Sequence, residues 1–191
     1  MTAFVDIARP SSKSFGITYD ILCVLGASLF LALLSQFEFR LWFTPVPITL
    51  QTLGVMLIGA SLGSKRGALS ILAYLAEGAL GLPVFRGGTC GVQCLFGPTG
   101  GYLLAFVMSA FVVGLLLERG WKENYTKTCV ALSLGTLLTL GGGALWLSLF
   151  VGLPNAFALG VAPFLVGAAV KILIAATLIS SGWKGLRFLG R

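Results

Sequence analysis

The 191-residue sequence contains no histidine, which removes Ser-His-Asp and Cys-His catalysis and the common zinc sites. Charge is almost as scarce. Six Asp and Glu and thirteen Lys and Arg make up 10% of the chain, against about 25% in a soluble domain. So few charges cannot coat a surface that faces water. There are four cysteines. Cys23 and Cys129 lie in or beside apolar runs and read as packed thiols. Cys90 and Cys94 share a loop without a Cys-x-x-Cys pair, so no metal site is expected, while a disulfide stays open on an oxidising face. No Gly-Lys-Ser or Gly-Lys-Thr is present, and no βαβ frame exists to hold a nucleotide. With no histidine and few acids, acid–base catalysis has no inventory. No catalytic residue and no cofactor is expected, and the chain does not read as an enzyme.

Apolar residues fill the space that charge leaves. They make up 57% of the chain, and the mean hydropathy is +0.99. The expected class is an all-α membrane protein forming a single membrane domain over 1–191, with lipid as its solvent. Each crossing takes roughly 20 residues, and the apolar runs predict six: 21–37, 48–63, 67–83, 102–117, 129–151 and 159–181. The first is too long and lacks the exit of a cleaved signal peptide. Gly152-Leu153-Pro154-Asn155 supplies the turn that divides the uncharged stretch after Thr128. The segment from Arg86 to Gly101 is glycine-rich and reads as loop.

The net charge of +7 could suggest nucleic acid, but the basic residues sit in short clusters between apolar runs. Arg9, Lys13, Lys65, Arg66, Arg119, Lys122, Lys127, Lys184, Arg187 and Arg191 fall on one side. Only Arg40 and Arg86 fall on the other. That asymmetry predicts cytoplasmic N and C termini in a cell (inner) membrane, an outward glycine-rich loop and contact with anionic lipid. Nucleic acid is not an expected partner.

Lys171 lies about twelve residues into the sixth run, roughly 18 Å along a helix. An ammonium at that depth costs at least about 2.5 kcal/mol and faces a cavity or a partner. It could close a structural ion pair or await an anionic ligand. Glu77, at similar depth, could neutralise Lys171 or accept hydrogen bonds from a ligand. Gly87 and Gly88 allow unusual backbone angles and close approach to a ligand. Phe85 and Tyr102 offer apolar walls. Gly141-Gly142-Gly143 and the series Gly54, Gly59 and Gly63 suit close helix packing.

Three stretches carry a family pattern: Pro45-Val46-Pro47-Ile48-Thr49-Leu50-Gln51-Thr52-Leu53, Gly81-Leu82-Pro83-Val84-Phe85 and Gly97-Pro98-Thr99-Gly100-Gly101-Tyr102. In this order and spacing they closely resemble the biotin-transporter family BioY, over about residues 20–182. The resemblance implies the substrate-binding (S) component of an energy-coupling-factor transporter. It implies a six-helix S-component bundle that captures biotin from outside. It also implies a transmembrane coupling subunit and two cytoplasmic ATPase subunits as partners. In the family the first helix offers a small-residue face to the coupling subunit; Cys23, Ala27, Ser28 and Ala32 could supply it. Lys171 matches the family lysine of the sixth helix and is implied to touch the ligand. Ala168 stands where the family has an acid. That departure leaves a second expectation, an S component for another small anionic vitamin or a biotin precursor. It also suggests that Glu77 takes over the work of the missing acid.

Overall fold

The computed structural model describes residues 3–10 and 12–189; Arg191 of the basic tail lies outside them. Seven α-helices are described: α1 (Lys13–Ser35), α2 (Gln51–Ala79), α3 (Gln93–Phe96), α4 (Gly100–Glu118), α5 (Tyr125–Val151), α6 (Leu153–Gly160) and α7 (Leu165–Leu189). A two-residue antiparallel ladder, β1 (Glu38–Phe39) with β2 (Ile48–Thr49), closes the loop between α1 and α2.

α2 is not one rod. Gly63 sits at φ 83° and ψ −175°, outside helical geometry. Gln51 Nε2 donates to Tyr74 Oη at 2.8 Å, although 23 residues of straight helix would separate them by about 34 Å. The chain therefore folds back at Gly63 into two antiparallel arms. Only glycine adopts that left-handed angle without penalty. A Cβ there would also collide with the Glu118 carboxylate. Glu118 accepts from Ser64 N at 3.0 Å and Ser64 Oγ at 2.8 Å. A carboxylate at the start of the second arm satisfies one orphan amide and meets the positive end of its dipole.

Among the described residues, five segments are long and apolar enough to cross a membrane. With α2 folded in two they make six apolar rods, and the architecture is an all-α membrane bundle. Several bounds differ from those expected. α1 begins at Lys13 rather than near residue 21, and its first turns meet the N-terminal arm where Tyr19 Oη donates to the Val5 carbonyl at 3.1 Å and Arg9 Nη2 donates to Asp20 at 2.7 Å. The second arm of α2 ends at Ala79 rather than at Pro83. The last long helix begins at Leu165 rather than near residue 159. α6 and the turn Ala162–Phe164 occupy the intervening residues. The glycine-rich loop is not wholly irregular, since Gln93–Phe96 forms one helical turn.

Small residues bring the rods together. A Cβ on Gly59 would stand 2.6 Å from the Ala110 carbonyl oxygen, and one on Gly142 would stand 2.9 Å from Ala105 Cβ. Gly143 underlies the Tyr102 ring. Gly141 meets nothing within 4 Å, while Gly63 both makes the turn and lies against Gly114 of α4, where a Cβ would stand 2.5 Å from the Gly63 carbonyl carbon. Without a hydrophobic driving force between helices in lipid, such close backbone approach supplies much of the association.

The end at Gly63 is tied by charge. Arg66 Nη1 meets Asp6 Oδ1 at 2.6 Å and Arg66 Nε meets Asp20 Oδ1 at 2.9 Å, while Arg9 pairs with Asp20 at 2.7 Å. Burial pushes the Asp6 carboxyl up, but the hydrogen bonds from Arg66 and Ala3 N outweigh it and hold it below its ordinary value. Lys122 is buried here, with its ammonium 3.8 Å from the Trp183 ring centroid. One residue of the expected basic face therefore packs inside the bundle.

Candidate ligand-binding site

At the end of the bundle opposite Gly63 lies a cavity of about 290 Å3. That is near the lower bound of ordinary ligand clefts, about 300–1,000 Å3. Its wall comes from four places: the β2–α2 junction, the glycine-rich loop, α4 with α5, and the start of α7. The prolines of Pro45-Val46-Pro47 keep the approach to α2 extended. The helix therefore starts only at Gln51, with Thr49, Gln51 and Thr52 on the cavity wall.

Lys171 lines the cavity. Its Nζ donates to the Thr49 carbonyl at 2.6 Å and to Thr52 Oγ1 at 2.9 Å. An ammonium has three donors, so one remains beyond these two bonds. Because α7 starts at Leu165, Lys171 is about 9 Å from the helix start, and nearer the cavity mouth than the expected run placed it. Arg86 is a second cation on the wall, and no Asp or Glu lines the cavity. Arg86 Nη1 stands 4.0 Å from Glu38 Oε2, while Glu38 Oε1 accepts from Arg40 Nε at 2.7 Å. Two cations without a lining acid suit an anionic ligand.

Phe85 and Tyr102 also line the cavity, and both are buried. Phe85 packs edge-to-face on Tyr74, with ring centroids 5.4 Å apart, and Gly78 leaves room for its ring. Tyr102 Oη donates to the Gly160 carbonyl at 2.8 Å, tying α4 to α6. The loop below is pinned by Trp146 Nε1, which donates to the Gly97 carbonyl at 3.0 Å.

The structure thus brings Lys171, Phe85 and Tyr102 to one cavity and leaves three expected residues off its wall. Gly87 and Gly88 make the left-handed turn, at φ 59° and 72°, that presents Arg86 and Thr89. Glu77 turns toward α1, where Ser28 Oγ donates to its Oε1 at 2.7 Å, and it forms no ion pair with Lys171. Ala168 does line the cavity. Sequence reasoning missed several polar wall residues, among them Thr49, Gln51 and Thr52, although these three lie inside a recognised motif. Arg86 was read only as an outward charge. Cys94 also lines the cavity, and its thiol donates to the Cys90 carbonyl at 3.3 Å; both cysteines are free.

An apolar bundle with a polar-studded cavity at one end defines a membrane protein built around a cavity of small-molecule size. The model of the BioY family matches residues 8–188, and the chain belongs to that family. A probable biotin transporter BioY of Pyrococcus horikoshii is 45% identical over 75% of this chain and 85% of its own length. The biotin transporter BioY2 of Lactococcus lactis subsp. cremoris is 39% identical over 86% of this chain and 87% of its own. The crystal structure of the S-component for biotin from an ECF-type ABC transporter superposes with a TM-score of 0.81 and 27% identity. It covers 92% of this chain and 95% of the other.

Proposed function

We propose that this protein is the biotin-binding S component of an energy-coupling-factor transporter, taking biotin from outside the cell membrane. The observation that carries the reading is the cavity wall: aromatic and aliphatic faces, two cations and no acid. Biotin has an anionic tail, an apolar thioether ring and a cyclic urea, and such a wall complements all three. The chain has no triphosphate-binding motif, so energy for release comes from other chains: a transmembrane coupling subunit and two cytoplasmic ATPase subunits. Lys171 and Arg86 are the cations for the ligand; Phe85 and Tyr102 are its apolar walls. Gly87 and Gly88 shape the loop that carries Arg86.

Purified chain in proteoliposomes should bind labelled biotin saturably and hydrolyse no ATP. Lys171→Ala should weaken binding by about 2–5 kcal/mol, as for truncating one partner of a buried charge contact. Unchanged affinity would remove Lys171 from the site, and absence of saturable binding by the folded wild type would reject the assignment. The alternative, another small anionic vitamin or a biotin precursor, is favoured by Ala168 on the cavity wall. Stronger competition by such a compound than by biotin itself would select it.

A further inference from the structure

We propose that Gln51 reads the ligand's cyclic urea, in place of the acid that the family pattern puts at position 168. The proposal rests on the biotin reading above and adds to it a specificity-determining residue.

Ala168 reaches the cavity but has neither donor nor acceptor on its side chain. Glu77 does not reach it. A buried urea left unpaired would weaken binding by its full desolvation cost, so another group must meet it. Two primary amides stand on the wall. Gln93 is exposed, and its Nε2 already donates to the Cys90 carbonyl at 3.2 Å. Gln51 is only 4% exposed. Its Nε2 donates to Tyr74 Oη at 2.8 Å and its Oε1 accepts from Thr49 Oγ1 at 3.1 Å.

Those two bonds do more than satisfy the amide. Together they hold the amide with Nε2 toward Tyr74 and Oε1 toward Thr49, and Tyr74 is itself fully buried. An amide carries two N–H donors and two carbonyl lone pairs. One of each is used within the protein and one of each remains. A cyclic urea offers an N–H beside a carbonyl, the complementary pair. Gln51 can therefore give its second N–H to the urea oxygen and accept from a urea N–H. Both groups are neutral, so no acid is needed and none is stranded when the cavity is empty. Preorganisation by Thr49 and Tyr74 lowers the ordering cost of that contact.

The test uses three probes on the whole purified chain: biotin, biotin methyl ester and 2-iminobiotin, whose guanidinium replaces the urea. Gln51→Leu should weaken biotin and its methyl ester equally, by about 10- to 100-fold, since both keep the urea. Gln51→Glu trades the N–H donor for a carboxylate oxygen. It should move preference toward 2-iminobiotin by at least about tenfold relative to wild type, because a charged acceptor favours the cationic donor. A residue that only supports Tyr74 would move all three probes together. An unchanged biotin-to-iminobiotin ratio in Gln51→Glu would overturn the proposal even if Gln51→Leu fails to fold. Biotin binding within about twofold of wild type in both variants would do the same. Failure of the folded wild type to bind biotin would reject the transport reading first, and this one with it.

Discussion

Among the residues, Glu77 and Lys171 show how ionisable side chains at similar expected depth can have two fates in a membrane. Lys171 turns into a cavity and is solvated by a carbonyl and a hydroxyl. Glu77 turns into the α1 interface and is met by Ser28, with Oε2 buried and lacking a hydrogen-bond partner. A carboxyl off the cavity wall has no direct means of reading a ligand. Glu77→Gln should therefore leave biotin affinity within about twofold, because one amide oxygen still accepts from Ser28. Glu77→Leu should leave the ligand-free melting temperature close to that of wild type, because the Ser28 hydroxyl keeps the Leu25 carbonyl as an acceptor at 2.8 Å and the unpaired Glu77 Oε2 is removed. Selective loss of biotin affinity in Glu77→Gln, with no loss for a ligand lacking the urea, would return Glu77 to the site.

Among the elements, α2 depends most on one position. Its return at Gly63 needs a left-handed backbone and leaves no room for a Cβ beside Glu118. Gly63→Ala combines strain with a steric clash, so a loss of about 2–4 kcal/mol is expected, visible as a melting shift or failed insertion. A variant that melts like wild type would mean that the turn relaxes easily. The arm before α1 gives a pH test at the same end. Asp6 has a depressed folded-state pKa, so its contribution is fully present above the ordinary carboxylate value of 3.8 and is lost as pH falls through the lower folded value. Asp6→Asn should melt lower at neutral pH, and its difference from wild type should shrink as acid is added. A gap that persists at the acid end would exclude this origin.

For the whole molecule, the bundle has chemically distinct ends. Arg9, Lys65, Arg66 and Arg119 gather at the Gly63 end, and the cavity opens between loops at the other. If the positive-inside bias sets orientation, the cavity loops face outward. In a background with the four cysteines replaced, an impermeant thiol reagent on intact cells should label Val92→Cys and spare Lys65→Cys. The reverse pattern would invert the molecule and remove capture from outside. Partner docking is also constrained at this scale. Ala27, Ser28 and Ala32 are buried against α2, while Leu22, Leu25, Leu29 and Leu33 are exposed. Three of the four small residues expected to meet a coupling subunit are thus already packed within the chain, while Cys23 is half-buried.

The sequence by itself determined the solvent, the helical class and the number of apolar rods. Hydropathy and charge are sums over local residues and need no knowledge of neighbours. It also marked Lys171, because a cation in an apolar run must find a partner, and Phe85 and Tyr102, because they flank a glycine-rich loop. Tertiary structure alone decided which faces point inward. α4 is apolar nearly all round, so no stripe along it announces the side that lines the cavity. Glu77 and Lys171 stand at similar expected depth, yet the rotation of their helices sends one to α1 and the other to the cavity. Thr49, Gln51 and Thr52 became a polar wall only when the fold brought α7 and Tyr74 alongside. A hydrogen-bonding side chain has no assigned partner until packing supplies one, so those contacts could not be read along the chain.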